Sequence, residues 1–249
     1  MKATLRLLLL VLLAGLSLQL YFVGRIALMA VVDPESTAFE RSAVYSVATA
    51  TGSLKWRQQW MPYSQISDNL KRAVIASEDA SFNEHDGVDI EALEKAWDKN
   101  AKAEQKVQQA SKNATPQAAT GKSVKPAKII GGSTITQQLA KNLFLSGERT
   151  LLRKGQELVL ALLLEKLLDK ERILEIYLNS VEWGEGVFGA QAASQHYFRK
   201  NADKLSAFEA ARLAVMLPRP KYFETRPNSG YLSSRASTIA ARMAAVDLP

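Results

Sequence analysis

The chain has 249 residues, no cysteine and a net charge of +7. This length allows one domain of ordinary size with a well-buried core, and the missing cysteine excludes disulfides and thiolate metal sites. Residues 95–128 contain eight lysines against Asp98 and Glu104, so they carry six of the seven net positive charges. The basic excess is therefore one segment and not a folded basic face, which argues against nucleic acid as a partner.

The N-terminal residues form an apolar run long enough to cross a membrane. From Leu7 to Gly24 only Ser17 and Gln19 are polar, and the apolar character resumes after Arg25. A membrane-spanning helix needs about 20 predominantly apolar residues, whereas the apolar part of a cleaved signal peptide has about 7–15. We therefore predict an uncleaved anchor over residues 1–32, with its N-terminus in the cytoplasm; a cleaved signal peptide is the alternative.

A connector follows the apolar run and extends to Pro62. Its two stretches with β-branched and aromatic residues predict short strands at Ala43–Ala48 and Leu54–Trp60.

The stretch LKRAVIASEDASFNEHDG is the first candidate for chemistry. Ser67 is a good helix N-cap, and Leu70, Val74 and Glu78 then fall at i, i+4 and i+8, on one stripe of a helix. Glu78 thus stands where the helix would otherwise carry an apolar residue. Burial and the neighbouring Asp79 both raise a carboxyl pKa, which suits a general base. A helix-end glutamate in a surface ion pair is the alternative.

Residues 110–128 have no aromatic side chain, two prolines and several lysines. This composition predicts a mobile segment. A solvated loop is the simple interpretation. A flap over a site is the functional one, because the segment connects the most motif-like stretches of the chain.

The stretch IIGGSTITQQLAKNLFL predicts a helix that starts at a tight turn. Ser133 or Thr134 can cap this helix, and Lys141 follows two turns later. Free N–H groups and the positive helix end make its start a candidate anion site. It is not a nucleotide phosphate-binding loop, because the Gly-Lys-Ser/Thr order is absent.

The stretch RTLLRKGQELVLALLLEKLLDKERILEIYLN predicts a buried helix with charges near its start. Arg153 and Lys154 precede Glu157 by four and three residues, so both can pair with it on a helix; a pair exposed on the surface is the alternative. Cations suit a diphosphate leaving group, which departs as an anion, whereas glycoside hydrolysis needs a proton donor for its leaving alcohol. One base with a cationic cradle therefore suits sugar transfer from a diphosphate carrier, and a membrane anchor suits a lipid carrier.

Four motifs in this order, SEDASFNEHDG, GGSTITQQLAKNLF, RKGQE and RILEIYLN, resemble those of the glycosyltransferase family 51 peptidoglycan polymerases. The resemblance runs from about Ser67 to Phe223. It implies a mainly α fold: a lysozyme-like glycosyltransferase domain over residues 33–249, with 110–128 as its mobile loop, a small membrane-proximal lobe and one N-terminal transmembrane helix. No Ser-x-x-Lys occurs in the chain, so it resembles the monofunctional branch, without a transpeptidase domain.

The resemblance implies an activity and a site. Lipid II would be polymerised into β-1,4-linked glycan strands, with inversion at the anomeric carbon and release of undecaprenyl diphosphate. Glu78 would be the catalytic base for the acceptor 4-hydroxyl, and Glu157 the second catalytic residue, serving the donor diphosphate with nearby cations. The other matched positions would bind substrate: Asp79, Phe82, Ser133, Thr134, Gln137, Lys141, Asn142, Arg149, Arg153 and Lys154.

The same resemblance implies a location and partners. It places a single-pass protein in the bacterial inner (cytoplasmic) membrane, with the catalytic domain on the periplasmic or outer side. Its partners would be the membrane, lipid II and the growing glycan chain, with other cell-wall synthesis and division proteins as candidates and no nucleic acid. The sequence requires no cofactor and no metal, since His85 and His196 lack metal-ligand spacing. A divalent cation at the diphosphate is compatible with it.

Two other classes of function stay open at this point. A lytic or lysozyme-like enzyme that cleaves peptidoglycan would share the fold and the single glutamate, but it does not explain the cations. A catalytically silent, membrane-tethered binding protein is the other, although both glutamates are present.

Overall fold

The computed structural model describes residues 2–112, 132–145 and 150–249. These residues divide into two compact units, which we describe separately. The second unit comprises Asp89–Thr134, and the main unit comprises Met1–Val88 and Ile135–Pro249.

The described residues are predominantly helical, which confirms the predicted mainly α class. The helices are α1 (Lys2–Leu28), α2 (Ala38–Thr51), α3 (Asp68–Glu78), α4 (Ile90–Lys112), α5 (Ile135–Phe144), α6 (Leu151–Leu167), α7 (Lys170–Ser180), α8 (Ala190–Phe198), α9 (Ala207–Met216), α10 (Pro220–Glu224) and α11 (Gly230–Arg242). Two short antiparallel strands, β1 (Glu182–Gly184) and β2 (Val187–Phe188), separate α7 from α8. Of these elements, only α4 belongs to the second unit.

Helix α1 includes a segment, Ala3–Leu28, that is long and apolar enough to cross a membrane. Its 26 residues span about 39 Å at 1.5 Å per residue, against about 30 Å for a bilayer core. The leucine-rich first half of the helix is exposed, whereas Phe22 and Ile26, followed by Met29, are buried in the core of the main unit. The helix is therefore an apolar segment at one end and part of the folded core at the other.

The prediction of a strand at Ala43–Ala48 is wrong, because these residues lie inside α2. The helix starts with a capping box, in which the Thr37 side chain accepts from the Glu40 N–H and the Glu40 carboxylate accepts from the Thr37 N–H, both at 3.0 Å. This Thr-x-x-Glu signal outweighs the β propensity of the residues that follow.

The predicted strand at Leu54–Trp60 is reduced to a single bridge. Arg57 pairs with Val187 in parallel orientation, and its N–H donates to the Gly186 carbonyl at 2.8 Å. Gly186 has φ +72°, and a Cβ there would lie 2.3 Å from the Lys55 carbonyl oxygen. The glycine therefore permits the close approach of the two chain segments.

The core of the main unit forms around α3 and α7. Ser67 caps α3 as predicted, and Leu70 and Val74 are fully buried on the predicted stripe. Helix α3 packs against α9 and α11, while α5 packs against α6 and α7. The largest fully buried side chains include Trp183, Tyr177, Phe82 and Phe188. This arrangement brings the ends of α3, α5 and α6 into one rigid frame.

The second unit consists of α4 and the residues that follow it. Helix α4 begins at Ile90 and ends at Lys112. Gly132 lies so close to α4 that a Cβ there would be 3.2 Å from the Cβ of Ala96. Most of the predicted mobile loop, from residue 113 onward, lies outside the described residues, so its mobility stays a prediction.

Candidate active site

Glu78 is the last residue of α3 and is half-buried where the apolar stripe ends. Burial raises the pKa of its carboxyl, hydrogen bonds from Gln138 and Ser77 oppose this, and the charge of Asp79 raises the pKa further. The negative C-terminal end of the helix dipole also disfavours a charge at this position. Glu78 therefore holds a proton at a higher pH than an ordinary glutamate, which suits a general base.

A chain of hydrogen bonds orients Glu78. Gln138 Nε2 donates to Glu78 Oε2 at 3.1 Å, and the Tyr177 hydroxyl donates to Gln138 Oε1 at 3.0 Å. Because Tyr177 fixes the amide oxygen, the amide nitrogen is directed at the carboxylate. Burial raises the pKa of Tyr177 well above its ordinary value, so its hydroxyl stays a neutral donor.

Sequence reasoning missed this chain of hydrogen bonds. It favoured Gln137, which is buried on α5, whereas the neighbouring Gln138 contacts Glu78. Tyr177 was hidden in the apolar run of α7. The available signal was its hydroxyl, because a buried tyrosine usually finds a hydrogen-bond partner.

Asp79 is a buried carboxylate that joins two helices. Its Oδ1 lies 2.9 Å from His85 Nε2, and its Oδ2 accepts the Ile135 N–H at 2.9 Å. Ile135 is the first residue of α5, so Asp79 places a negative charge at the positive end of that helix. The predicted anion site at this helix start thus already holds a carboxylate of the protein. Asp79 aligns α5 with the end of α3, and its contact with substrate stays a prediction.

The turn after Asp79 is held by a second set of polar contacts. His85 Nδ1 accepts the Gly87 N–H at 3.1 Å, which leaves the proton on Nε2, facing Asp79. Lys170 donates to the His85 carbonyl at 2.6 Å and pairs with Glu165 at 2.9 Å. His85 therefore holds its turn by hydrogen bonds.

Glu157 lies in a second cluster, on α6. It is 3% exposed, and its Oε2 lies 2.8 Å from Arg153 Nη1 while Lys154 pairs with its Oε1. Both predicted helical pairings are confirmed, and burial excludes the alternative of a surface pair. Because two cations face this carboxylate, it is suited to hold them in place.

Lys141 interacts electrostatically with Glu78 and with the cluster around Glu157. It is half-buried on α5, and burial lowers its pKa; the charges of Glu157 and Glu78 oppose this shift, while Arg153 and Lys154 add to it. Its ammonium group therefore interacts with both glutamates. Lys141 is also the cation that acts on Glu78.

Arg153 has a buried donor with unused capacity. Its Nε is buried and has no hydrogen-bond acceptor among the described residues, although its Nη1 is bound to Glu157. A buried N–H left unpaired costs about 1–3 kcal/mol. The site therefore has a donor that an incoming oxygen atom would satisfy.

The remaining predicted site residues occupy varied positions. Asn142 is buried on α5, and Phe82 is fully buried beneath Lys170, whose Nζ lies 4.5 Å from the ring centroid. Ser133 and Thr134 belong to the second unit. Arg149 lies outside the described residues. Substrate contacts by these residues stay predictions.

The acidic groups of the site do not form a metal centre. Within residues 3–105, 132–145 and 150–249, no three carboxylate, histidine or cysteine side chains converge on one position. Glu78 accepts a hydrogen bond from Gln138. Asp79 is bound by His85 and by the first N–H of α5, and Glu157 is paired with two cations. This donor set does not fit a resident divalent cation, which prefers several free oxygen ligands.

The transglycosylase family model matches residues 46–120 and 112–244. A protein named biosynthetic peptidoglycan transglycosylase from Burkholderia thailandensis is 52% identical over 236 residues, which cover 95% of this chain and 84% of that protein. Proteins of the same name from Burkholderia orbicola and Paraburkholderia phytofirmans are 48% and 49% identical, over 95% of this chain and 87% and 89% of their own lengths.

The two glutamates should have opposite effects on stability. For Glu157→Gln we expect a loss of about 2 kcal/mol, because Arg153 and Lys154 lose their anion. For Glu78→Gln we expect an unchanged or higher thermal midpoint at pH 8, because the folded state no longer holds a carboxylate whose ionisation burial disfavours.

The stability difference between the parent and Glu78→Gln should depend on pH in a defined direction. A carboxyl with a raised folded-state pKa loses its stabilising contribution as pH rises through that pKa. The advantage of Glu78→Gln should therefore grow from acid to alkaline pH. Thermal unfolding in detergent over a pH series measures it, and a constant difference between the two proteins would contradict this account of Glu78.

Proposed function

The chain belongs to the transglycosylase family, and from this premise we propose that it is a peptidoglycan glycosyltransferase. It would polymerise lipid II into β-1,4-linked glycan strands, with inversion at the anomeric carbon and release of undecaprenyl diphosphate. No Ser-x-x-Lys motif of a transpeptidase occurs in the 249 residues, so glycan transfer is the one activity we assign.

One observation carries the proposal: one lysine, Lys141, acts electrostatically both on a carboxylate suited to be a base and on a cluster of cations. Glu78 has a raised pKa and Gln138 as its hydrogen-bond donor, while Arg153 and Lys154 surround Glu157. Lys141 acts electrostatically on both carboxylates. This combination suits a reaction in which one oxygen loses a proton while a diphosphate leaves as an anion.

We assign the proton transfer to Glu78. As the acceptor 4-hydroxyl approaches the anomeric carbon of the donor, the Glu78 carboxylate takes its proton. The acceptor oxygen then forms the new C–O bond on the face opposite the diphosphate, which inverts the anomeric centre. Gln138, itself held by Tyr177, keeps the carboxylate directed throughout.

We assign stabilisation of the leaving group to the cations. As the C–O bond to the diphosphate breaks, its electron pair moves onto the phosphate oxygen. Lys141, Arg153 and Lys154 would bind this developing charge, and the unpaired Arg153 Nε–H would donate to a phosphate oxygen. Glu157 holds Arg153 and Lys154 in place between turnovers.

The lytic alternative is less well supported. Cleavage of a glycoside expels an alcohol and needs a protonated carboxyl beside the leaving oxygen. It gives no role to the cations around Glu157, and the relatives are named as biosynthetic enzymes.

We further propose the location that the resemblance implied: the bacterial cytoplasmic membrane, crossed once by α1, with the catalytic domain on the outer side. The apolar residues of α1 support a membrane span. Lys2 and Arg6 precede the apolar run that starts at Leu7, as expected for a cytoplasmic N-terminus. Leu151 and Leu152, 93% and 86% exposed at the start of α6, support contact of this unit with lipid. Cell-wall synthesis and division proteins stay predicted partners.

The decisive experiment incubates purified protein with labelled lipid II in detergent micelles. We expect a polymer that muramidase digests to disaccharide units, because β-1,4 linkages are formed. An inert labelled substrate, or cleavage of preformed glycan instead, would overturn the proposal. A preparation carrying Glu78→Gln, purified in parallel, controls for contaminating polymerases.

Substitutions should separate the roles of the charged residues. Glu78→Gln should reduce single-turnover polymerisation by about 10²–10⁴ while lipid II still binds, because the shape and the amide contact survive. Lys141→Ala and Arg153→Ala should weaken both turnover and binding, because a charge-assisted contact to diphosphate is lost. The effects of Glu157→Gln on turnover and on binding should lie between those of Glu78→Gln and those of the two cation variants. If Glu78→Gln keeps near-normal turnover while Glu157→Gln loses it with binding intact, the roles are reversed.

The anchor should behave as an integral membrane segment. Because α1 includes a segment long and apolar enough to cross a membrane, the intact protein should remain in membranes after high-salt and carbonate washes, with its N-terminal sequence retained. Fractionation followed by N-terminal sequencing measures this. Recovery of a soluble chain that begins near residue 30 would favour the cleaved signal peptide instead.

Metal removal should leave the chemistry intact. We expect EDTA to leave the single-turnover rate unchanged, because lysine and arginine side chains occupy the place that a metal would take in neutralising the diphosphate. A loss of rate that added Mg²⁺ or Mn²⁺ restores would show that the diphosphate needs a divalent cation.

A further inference from the structure

The apolar helix α1 is bound to the cation-bearing helix α6 by a reciprocal pair of amides. Gln19 Nε2 donates to Gln156 Oε1 at 3.0 Å, and Gln156 Nε2 donates back to Gln19 Oε1 at 3.2 Å. The two residues are 137 positions apart in sequence. Gln156 directly precedes Glu157 and lies three residues after Arg153. The pair therefore joins the anchor to the turn of α6 that carries the diphosphate-binding cluster.

A glutamine in this position of α1 needs an explanation. Gln19 interrupts an apolar run, and an amide in a lipid-facing helix is costly unless it is hydrogen-bonded. The other polar residue of the run, Ser17, is exposed and lies about 200° around the helix from Gln19, at 100° per residue. Gln19 thus faces the protein while Ser17 faces away from α6.

Two further contacts confine α1 beyond the amide pair. Phe22 packs edge-on against Phe144, the last residue of α5, with ring centroids 5.3 Å apart. Arg172 of α7 donates from Nε to the Met29 carbonyl and from Nη2 to Asp33, both at 2.7 Å. The anchor therefore meets α5, α6 and α7, the helices that carry Lys141, Glu157 and Tyr177.

A reciprocal amide pair is more restrictive than an apolar contact. Both hydrogen bonds form only when the two amide planes meet in one orientation, whereas leucines can slide past each other. The pair consequently fixes the rotation of α1 and its axial position against α6. Phe22 and Arg172, in contrast, hold only the end of the helix and the residues that follow it.

We propose that Gln19 is a positioning residue of the transferase. Gln19 binds Gln156, which lies on the turn of α6 that carries Arg153 and Glu157. The pair thereby fixes the position of this turn along the axis of the lipid-embedded helix. It also fixes the distance of the turn from a diphosphate that a lipid tail holds at the membrane surface. The kinetic part of this inference rests on the proposed function, whereas the structural part does not.

The geometry can be tested by cross-linking in membranes. Because the chain has no cysteine, the double variant Gln19→Cys/Gln156→Cys has two thiols and no others. A short bifunctional thiol reagent should link them within one chain, detected as a shift in electrophoretic mobility after proteolysis. The matched control Ser17→Cys/Gln156→Cys should not be linked. Equal linking of both variants would mean that α1 rotates freely and would overturn the proposal, even if the enzymatic activity were not found.

Kinetics then test the positioning role. Gln19→Leu should raise KM for lipid II by about three- to tenfold with a smaller effect on kcat, because the cation cluster is displaced from the diphosphate. Ser17→Leu adds similar apolarity to the same helix and should leave both constants unchanged. A purely structural role for Gln19 would instead lower the thermal midpoint and leave KM unaltered.

The double variant Gln19→Leu/Gln156→Leu separates stability from positioning. Removing both amides leaves neither unpaired, so the thermal midpoint should recover toward that of the parent. The raised KM should persist, because the amide pair no longer fixes the rotation of α1 against α6. Recovery of KM together with stability would overturn the proposal.

Discussion

The carboxylate of Asp79 is the contact on which the geometry of the site depends. It directly follows Glu78, and it binds both the His85 ring and the first N–H of α5. A buried carboxylate that lost either partner would be left partly unsatisfied, at a cost of about 1–3 kcal/mol. Gln138 and Lys141, which both act on Glu78, lie on α5. The contact between Asp79 and the first N–H of α5 therefore also positions these two side chains relative to Glu78. The end of α3 and the start of α5 therefore behave as one piece.

Glu78 on α3 and Glu157 on α6 acquire different properties from their surroundings. Glu78 stands at a helix C-terminus with a neutral amide as its hydrogen-bond donor, and burial raises its pKa; Glu157 stands within one turn of two cations. The difference is produced by placement on the helix, since both side chains are chemically identical. Lys141, on the helix between them, responds to both charges. Such a division between a base and a structural carboxylate would suit the transfer of a sugar from a charged leaving group to a hydroxyl.

Local sequence signals predicted much of this arrangement. The stripe through Leu70 and Val74 and the spacing of Arg153 and Lys154 from Glu157 depend only on helical periodicity, so they could be anticipated and are confirmed. The strand predicted at Ala43–Ala48 failed because side-chain capping at Thr37 was overlooked.

Long-range contacts were beyond reach from the sequence. Gln138 and Tyr177 are 39 residues apart, and no periodicity relates them to Glu78. The choice between Gln137 and Gln138 depends on how α5 is rotated against α3 and α7, which is decided by packing and by the Asp79 contact. The unpaired Arg153 Nε likewise exists only in the folded chain. It gives the site a basis for rejecting ligands: one without a suitably placed oxygen would leave that N–H unpaired in a water-poor position and would be discriminated against by more than a missing contact. Selectivity for the diphosphate would then depend on the acceptor that Arg153 Nε lacks in the free protein as much as on the charges of the cations.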